Sequence, residues 1–366
     1  MKTKPVYIVL PPRESFSSLN AGAVAIVVHS MCEWSSFHTH VIGSDCAEPF
    51  SDCHFTAIKS AFLPFKHNSW TYARSCKSFL QQQSAGIVEV HNRIPLFLYL
   101  SNKLKQHVHC LYLHNDPQGM KGAKTSHERQ MLLEKASAIY VVSEYIKSRF
   151  MEGLSGGSEK LHVIYNGVNF AQQVTFQKKK KQIIFVGRVI PEKGVLELAK
   201  AFKTILPNNL EWTAVFIGAR HFGNTKPTTE YERKVLSELE SIDAQVEYKN
   251  ALPYQEVMEH YRAASIAVVP SIWNEPFGRT ALEAIISHCA LVCSERGGLK
   301  EVVGDTVKLI DPEDPGSIAL AVQMMIDNPE MRNELKEKAY KRALGLFDQS
   351  AIVRRHDAIR QSIFVS

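Results

Sequence analysis

PSIWNEPFGRTALEAIISH, residues 270–288, decides how the rest of the chain is read. The apolar, β-branched run before it, IAVVPS (266–271), has the length and composition of a buried strand. Glu275-Pro276-Phe277-Gly278 then punctuates the chain, and TALEAIIS (280–287) continues as a helix. Strand, tight loop and helix in that order make a β/α unit, and ALVCS (290–294) supplies the next strand. Glu275 and Glu283 lie on either side of the helix start, where two carboxylates can reach different hydroxyls of one extended ligand. The amides of Phe277, Gly278 and Arg279 fall at the helix N-terminus, where unpaired N–H groups favour a phosphate. Glu283 sits inside the apolar stretch TALEAII, so burial would demand a partner for its charge, and a ligand is a good one.

The preceding β/α boundary carries the opposite charge. QIIFVG (182–187) reads as a strand and Gly194–Leu206 as an amphipathic helix, joined by Gly187-Arg188 and Lys193-Gly194. Open α/β sheets bind ligands at the carboxyl ends of their strands, so Arg188 and Lys193 are candidates to hold a diphosphate. The loop is neither GxxxxGK[ST] nor GxGxxG, and a pair of ordinary surface cations remains a reading of it. A third turn, SERGGLKEVVG (294–304), returns to the same sheet edge.

Outward from these motifs, alternation continues in both directions. Strands are predicted at TAVFIG (213–218), AQVEYKN (244–250) and TVKLI (306–310), with helices over Tyr231–Ile242 and Tyr254–Ala264 and two more after Asp314 and Pro329. Upstream, VYIVL, HVIG, GIVEV, HCLYLH, AIYVVS and LHVIYN read as strands of a first β/α set, with helices at Glu128–Ala136 and Glu144–Glu152. The polar stretch Phe170–Lys181, ending in four lysines, reads as the linker. The expected architecture is α/β: two doubly wound domains, 1–170 and 171–346, facing across a cleft.

Composition excludes several classes. A chain of 366 residues with 45% hydrophobic and 22% charged residues is neither disordered nor a disulfide-stapled miniprotein. Seven Cys, with Cys289/Cys293 and Cys46/Cys53 the nearest in sequence, argue against a disulfide framework and a thiolate metal site, and fit a reducing, cytoplasmic setting. No apolar run approaches the ~20 residues of a bilayer span. The net charge of +6 is too small, and too poorly interleaved with aromatics, for a nucleic-acid surface. Residues 1–172 hold 17 Lys/Arg against 12 Asp/Glu and 11 of the 15 His, so that half is mildly basic. An ordinary surface and a face for an anionic acceptor or membrane both fit that excess.

These features resemble the retaining GT-B glycosyltransferases of family 4, also called glycosyl transferases group 1. The resemblance rests on the GR-x₃₋₅-KG loop (Gly187, Arg188, Lys193, Gly194), on E-x₇-E (Glu275 and Glu283) with Phe277 and Gly278, and on the GG-x₂-E-like Ser294–Glu301. YNGVNF (165–170) is similar to the family's domain junction, with Asn169 where Asp is usual. The resemblance implies a GT-B fold in which Arg188 and Lys193 contact the donor diphosphate, Glu275 the donor sugar and Glu283 the ribose. In the first half, SSLNAGAVAIVVHSM (17–31) matches the family's glycine-rich loop with only Gly22 retained. HNDPQG (114–119) offers His114 as the functional histidine, with Asp116 beside it. VEVHNRIP (88–95) would put His91, Asn92 and Arg93 on the acceptor side. A satisfied strand-end histidine remains a reading of both His91 and His114. The last helix, within 346–363, is expected to return to the first domain.

The implied reaction moves a hexose or N-acetylhexosamine, with retention, from a nucleotide diphosphate sugar to a hydroxyl. UDP is the expected carrier, and the acceptor a lipopolysaccharide or other surface glycan. No resident cofactor and no metal are expected, since no Asp-x-Asp occurs and protein cations can hold the leaving diphosphate. Peripheral contact with the anionic inner face of the cytoplasmic membrane is the implied location. The competing expectation is a non-catalytic nucleotide-sugar-binding or scaffold protein of the same fold, such as a spore-coat or polar assembly factor.

Overall fold

Short runs rich in Val, Ile and Leu are buried on both faces, which suits them to parallel sheets covered by helices. The computed structural model describes residues 5–58, 68–170, 178–220 and 229–365. In its first half, β1 (Val6–Val9), β2 (Thr39–Ser44), β3 (Phe55–Ile58), β4 (Ile87–His91), β5 (Val108–Leu113), β6 (Ala138–Val141) and β7 (Leu161–Val163) form one sheet, ordered β3-β2-β1-β4-β5-β6-β7. In the second, β8 (Lys180–Val186), β9 (Thr213–Ile217), β10 (Val246–Lys249), β11 (Ala264–Val269), β12 (Ala290–Ser294) and β13 (Lys308–Ile310) are ordered β10-β9-β8-β11-β12-β13. All of these pairings are parallel. In each sheet the strand order reverses beside the first strand, between β1 and β4 and between β8 and β11. Each reversal is a topological switch point, where the strand ends open a crevice for ligand.

The chain divides into two compact units, one running to Val168 and resuming at Gln349, the other from Asn169 to Asp348. In the second unit, helices Val195–Ile205 and Pro315–Asp327 lay Leu198, Phe202, Ile318 and Val322 on Ile183, Phe216 and Val292 of the sheet. In the first unit the final helix, Gln349–Val365, packs against the helix Ala23–Trp34 and its following turn. Phe364 stacks on Phe37, and Asp357 accepts from the Ser36 amide at 2.7 Å and the Ser35 hydroxyl at 3.0 Å.

Glu89 projects from the middle of β4 with no solvent exposure. Arg360 of the final helix grips both its oxygens, at 2.9 and 2.7 Å, and gives its remaining nitrogen to Asp357 at 2.9 Å. Burial alone would raise the Glu89 carboxyl. Arg360 and His356 overcome that and hold it well below the ordinary carboxylate range.

Some elements escape the sequence pattern. Strand β3 has four residues, and the helices Ala23–Trp34, Asn68–Gln81 and Ile94–Lys103 carry no clear polar stripe or were hidden in apolar runs. The linker reading of Phe170–Lys181 falls mostly on residues outside those described. Its lysines are not a plain connector: Lys180 and Lys181 open β8, and Lys179 donates to the Ser287 carbonyl at 2.6 Å.

Candidate functional site

At the switch point of the second unit, the segments after β8 and β11 are tied together. After β8 the chain runs through Gly187 and the exposed Arg188 into a single 3-10 turn, Pro191–Lys193. The Glu192 carbonyl accepts from the amides of Ile272 and Trp273, at 3.0 and 3.3 Å. Gly194 follows with φ +65°, and a Cβ there would drive into the backbone carbonyl of Pro270. Only glycine takes this conformation at this distance without strain.

That approach brings Lys193 onto Glu275. The ammonium donates to Oε1 of Glu275 and stands 5.4 Å from the centre of the Trp273 ring. The Ser271 hydroxyl donates to the same oxygen at 2.6 Å. Behind the carboxylate, the Gly298 amide donates to the Glu275 carbonyl at 2.7 Å, and Gly297 lies bridged to Glu275. The GG turn seen in the sequence therefore fixes the backbone of the acidic loop. Arg188 makes no ion pair among the described residues.

One turn further on, Gly278 at φ +109° starts the helix Arg279–Ile286. The Phe277 ring is buried edge-on against Phe347. Glu283 is buried and takes the Arg279 Nε at 2.7 Å, and Tyr254 hydrogen-bonds both side chains. Burial raises the Glu283 carboxyl, against the opposing pull of Arg279 and Tyr254. The partner that this buried charge was expected to need is Arg279, one turn back on the same helix.

The first unit has its own switch point, between β1 and β4. His91 closes β4, fully buried, and its Nδ1 lies 2.9 Å from Nε2 of the half-buried His114 just beyond β5. Tyr112 stacks on both rings, at 4.7 Å from His91 and 4.5 Å from His114. Burial pushes His91 down to about 3, so it is neutral. Asn92, at φ +52°, receives the His114 amide on its side-chain oxygen at 2.8 Å. Asn92 therefore shapes the His114 turn, and His91 lies beneath His114 instead of facing outward. Arg93 is exposed at the start of the helix Ile94–Lys103. Asp116 is occupied: it accepts from the Gln118 amide and from Arg149 Nε, both at 2.9 Å.

Gly22 precedes the helix Ala23–Trp34, but the helix start is already capped. The Glu14 carboxylate accepts from the Ala25 amide at 2.9 Å and from that of Val24. It packs so closely on Gly22 that a side chain there would strike it. Sequence reading missed Glu14, Ser271, Tyr254 and Arg360. Glu14, Tyr254 and Arg360 each act on a residue distant in sequence, and Ser271, although only four residues before Glu275, belongs to no spaced motif.

Two family models match the chain: Glycosyl transferases group 1 over residues 169–342 and Glycosyltransferase Family 4 over residues 36–172. A putative glycosyltransferase, YtcC, of Bacillus subtilis (strain 168) is 27% identical over 82% of this chain and 77% of its own length. A lipopolysaccharide 1,2-N-acetylglucosaminetransferase of Salmonella typhimurium is 22% identical over 75% of this chain and 72% of its own. Among solved structures, HepE of Anabaena in complex with UDP and glucose superposes with a TM-score of 0.76. It is 15% identical, over 98% of this chain and 100% of that one.

Proposed function

Because this chain belongs to the GT-B glycosyltransferases of group 1 and family 4, we propose that it is a retaining transferase. In this proposal it moves a hexose or N-acetylhexosamine from a UDP-sugar to a hydroxyl of a lipopolysaccharide or related surface glycan. The observation that carries the reading is the Lys193–Glu275 pair held at a strand switch point, with the exposed Arg188 on the same loop as Lys193. The UDP and glucose bound by the Anabaena neighbour and the lipopolysaccharide acceptor of the Salmonella relative support the choice of donor and acceptor class.

In this mechanism Arg188 and Lys193 take the diphosphate, together with the backbone amides from Phe277 to Arg279. Glu275 accepts the sugar hydroxyls. Glu283, with lone pairs left after Arg279 and Tyr254, accepts from the ribose. As the bond from the anomeric carbon to the diphosphate oxygen breaks, the cations stabilise the charge that develops there. The acceptor oxygen bonds to the anomeric carbon on the same face, and its proton passes to the leaving phosphate oxygen. His114 hydrogen-bonds the donor sugar, with His91 fixing its ring. Neither a resident cofactor nor a metal takes part in this step. The mildly basic first half is proposed to meet an anionic glycan or the inner face of the membrane, and no helix of the described residues is long and apolar enough to cross it.

Calorimetry of the purified chain with UDP-, GDP- and ADP-sugars tests the reading, alongside release of UDP with and without glycan acceptors. Saturable UDP-sugar binding with acceptor-dependent turnover is expected. Binding without turnover on any acceptor would favour the non-catalytic alternative, and no binding to any nucleotide sugar would sink both.

A further inference from the structure

Away from both switch points, the fold joins two cysteines that the sequence keeps 21 positions apart. The helix Ala23–Trp34 carries His29 and Cys32 three residues apart, hence on one face. The segment between β2 and β3 brings Asp52 and Cys53 against that face. One ligand atom from each of His29, Asp52 and Cys53 lies within 4.8 Å of the other two. His29 Nε2 stands 2.9 and 3.0 Å from the two Asp52 oxygens, and its ring is stacked on Phe50 at 3.9 Å. Cys32, on the same helix face as His29, neighbours Cys53.

We propose that His29, Cys32, Asp52 and Cys53 form a binding site for a zinc-class divalent cation. Two sulfurs, one imidazole and one carboxylate make the tetrahedral, borderline-soft donor set that Zn²⁺ prefers over Mg²⁺ or Ca²⁺. At ordinary Zn–N and Zn–S bond lengths, tetrahedral ligand atoms stand roughly 3.3–3.8 Å apart, so small side-chain rotations bring His29, Asp52 and Cys53 to ligand distance, and Cys32 turns in from the helix as the fourth donor. Binding takes the cysteines as thiolates and releases their protons. The bound ion would clamp the helix Ala23–Trp34 to the β2–β3 connection. This reverses the expectation from cysteine spacing, which saw no thiolate metal site because Cys32 and Cys53 form no short-range motif.

The test uses the reduced full-length protein, with Zn²⁺ competed against a chromophoric chelator and Co²⁺ as the spectroscopic probe. One Zn²⁺ per chain is expected, with a thiolate-to-Co²⁺ charge-transfer band. Cys32→Ser and Cys53→Ser should abolish that band and weaken Zn²⁺ binding about tenfold or more. Asp52→Asn, at an exposed position, should weaken it measurably with the melting temperature of the metal-free protein little changed, and Cys46→Ser should leave it unchanged. Zn²⁺ should raise the urea midpoint of the wild type but not of Cys53→Ser. Three results would overturn the site: no stoichiometric Zn²⁺, binding indifferent to Cys53→Ser, or peptide mapping that finds Cys32–Cys53 as a disulfide in metal-free protein.

Discussion

Lys193 and Glu275 meet as an ion pair although 82 residues separate them. The pair joins the cationic loop after β8 to the acidic loop after β11, so one contact sets the spacing of the groups proposed to bind phosphate and sugar. Both side chains are largely buried, at 17% and 9% exposure, and Ser271 completes the carboxylate. Lys193 keeps enough exposure for water to take up part of its charge if Glu275 is neutralised, unlike the fully buried Arg360.

Glu275→Gln is therefore expected to separate chemistry from folding. The amide still accepts from Ser271, but it neutralises neither Lys193 nor a developing positive charge. Turnover with a UDP-sugar should fall about 10²-fold or more, while the melting temperature moves by only a few degrees. Steady-state kinetics and calorimetry on the same preparation check this. Equal loss of activity and stability would make the pair structural.

Element boundaries with strong local signals are legible in the sequence, and partners that meet only in the tertiary fold are not. The Gly187–Gly194 and Glu275–Gly278 boundaries announce themselves because glycine, proline and a change of hydrophobic period act over a few residues. Strand β3 is short and only partly buried, so it gives little period to detect. The helix Asn68–Gln81 carries three Ser besides Asn, Thr and Gln, residues that loops also use. Glu283 was recognised as an acid that needs a partner, yet periodicity could not tell Arg279 from a ligand. Glu89 and Arg360 stand 271 residues apart, and no spacing rule reaches that far. The Glu14 cap is likewise invisible, because a carboxylate eleven residues ahead of Ala25 makes no capping box.

Arg360→Met should be among the most destabilising single changes in the first unit. It removes the main counter-charge of Glu89 inside the sheet, leaving only His356 at 3.3 Å, and takes Arg360 away from Asp357, at a cost of about 3–5 kcal/mol. The sign of the acid response follows from the depressed Glu89 carboxyl. Below roughly pH 4.3 the unfolded chain takes up a proton that folded Glu89 refuses, so stability falls as pH falls further. Urea denaturation between pH 7 and pH 3 should show this decline in the wild type. Arg360→Met should start lower and show less of it.

His91 produces a second acid response in a different window. A buried imidazole held down to about 3 stays neutral in the folded chain, while an unfolded histidine protonates near pH 6.5. Its contribution is fully present above that pH and is lost progressively as pH drops toward 3. His91→Gln should flatten the wild-type decline between pH 6.5 and 4. It should also lower turnover through His114, less than His114→Ala does, and alter the pH–rate profile. An unchanged profile would leave His91 a packing residue only.

Gly194→Ala tests whether the close approach of the two loops matters for binding. The substitution adds a methyl group at φ +65° directly against the Pro270 carbonyl, where neither backbone can yield cheaply. Strain of about 1–3 kcal/mol is expected. The least costly relief is for the Pro191–Lys193 turn to move away from the segment after β11, which weakens the Glu192 carbonyl contacts with Ile272 and Trp273 and stretches Lys193 from Glu275. Affinity for UDP alone should then fall along with the melting temperature, since the misplaced groups are those proposed to hold the diphosphate. A control at Gly119, where an added Cβ meets nothing within 4 Å, should leave both unchanged. If Gly194→Ala lowers the melting temperature but binds UDP as tightly as the wild type, the Lys193 loop is not the diphosphate site.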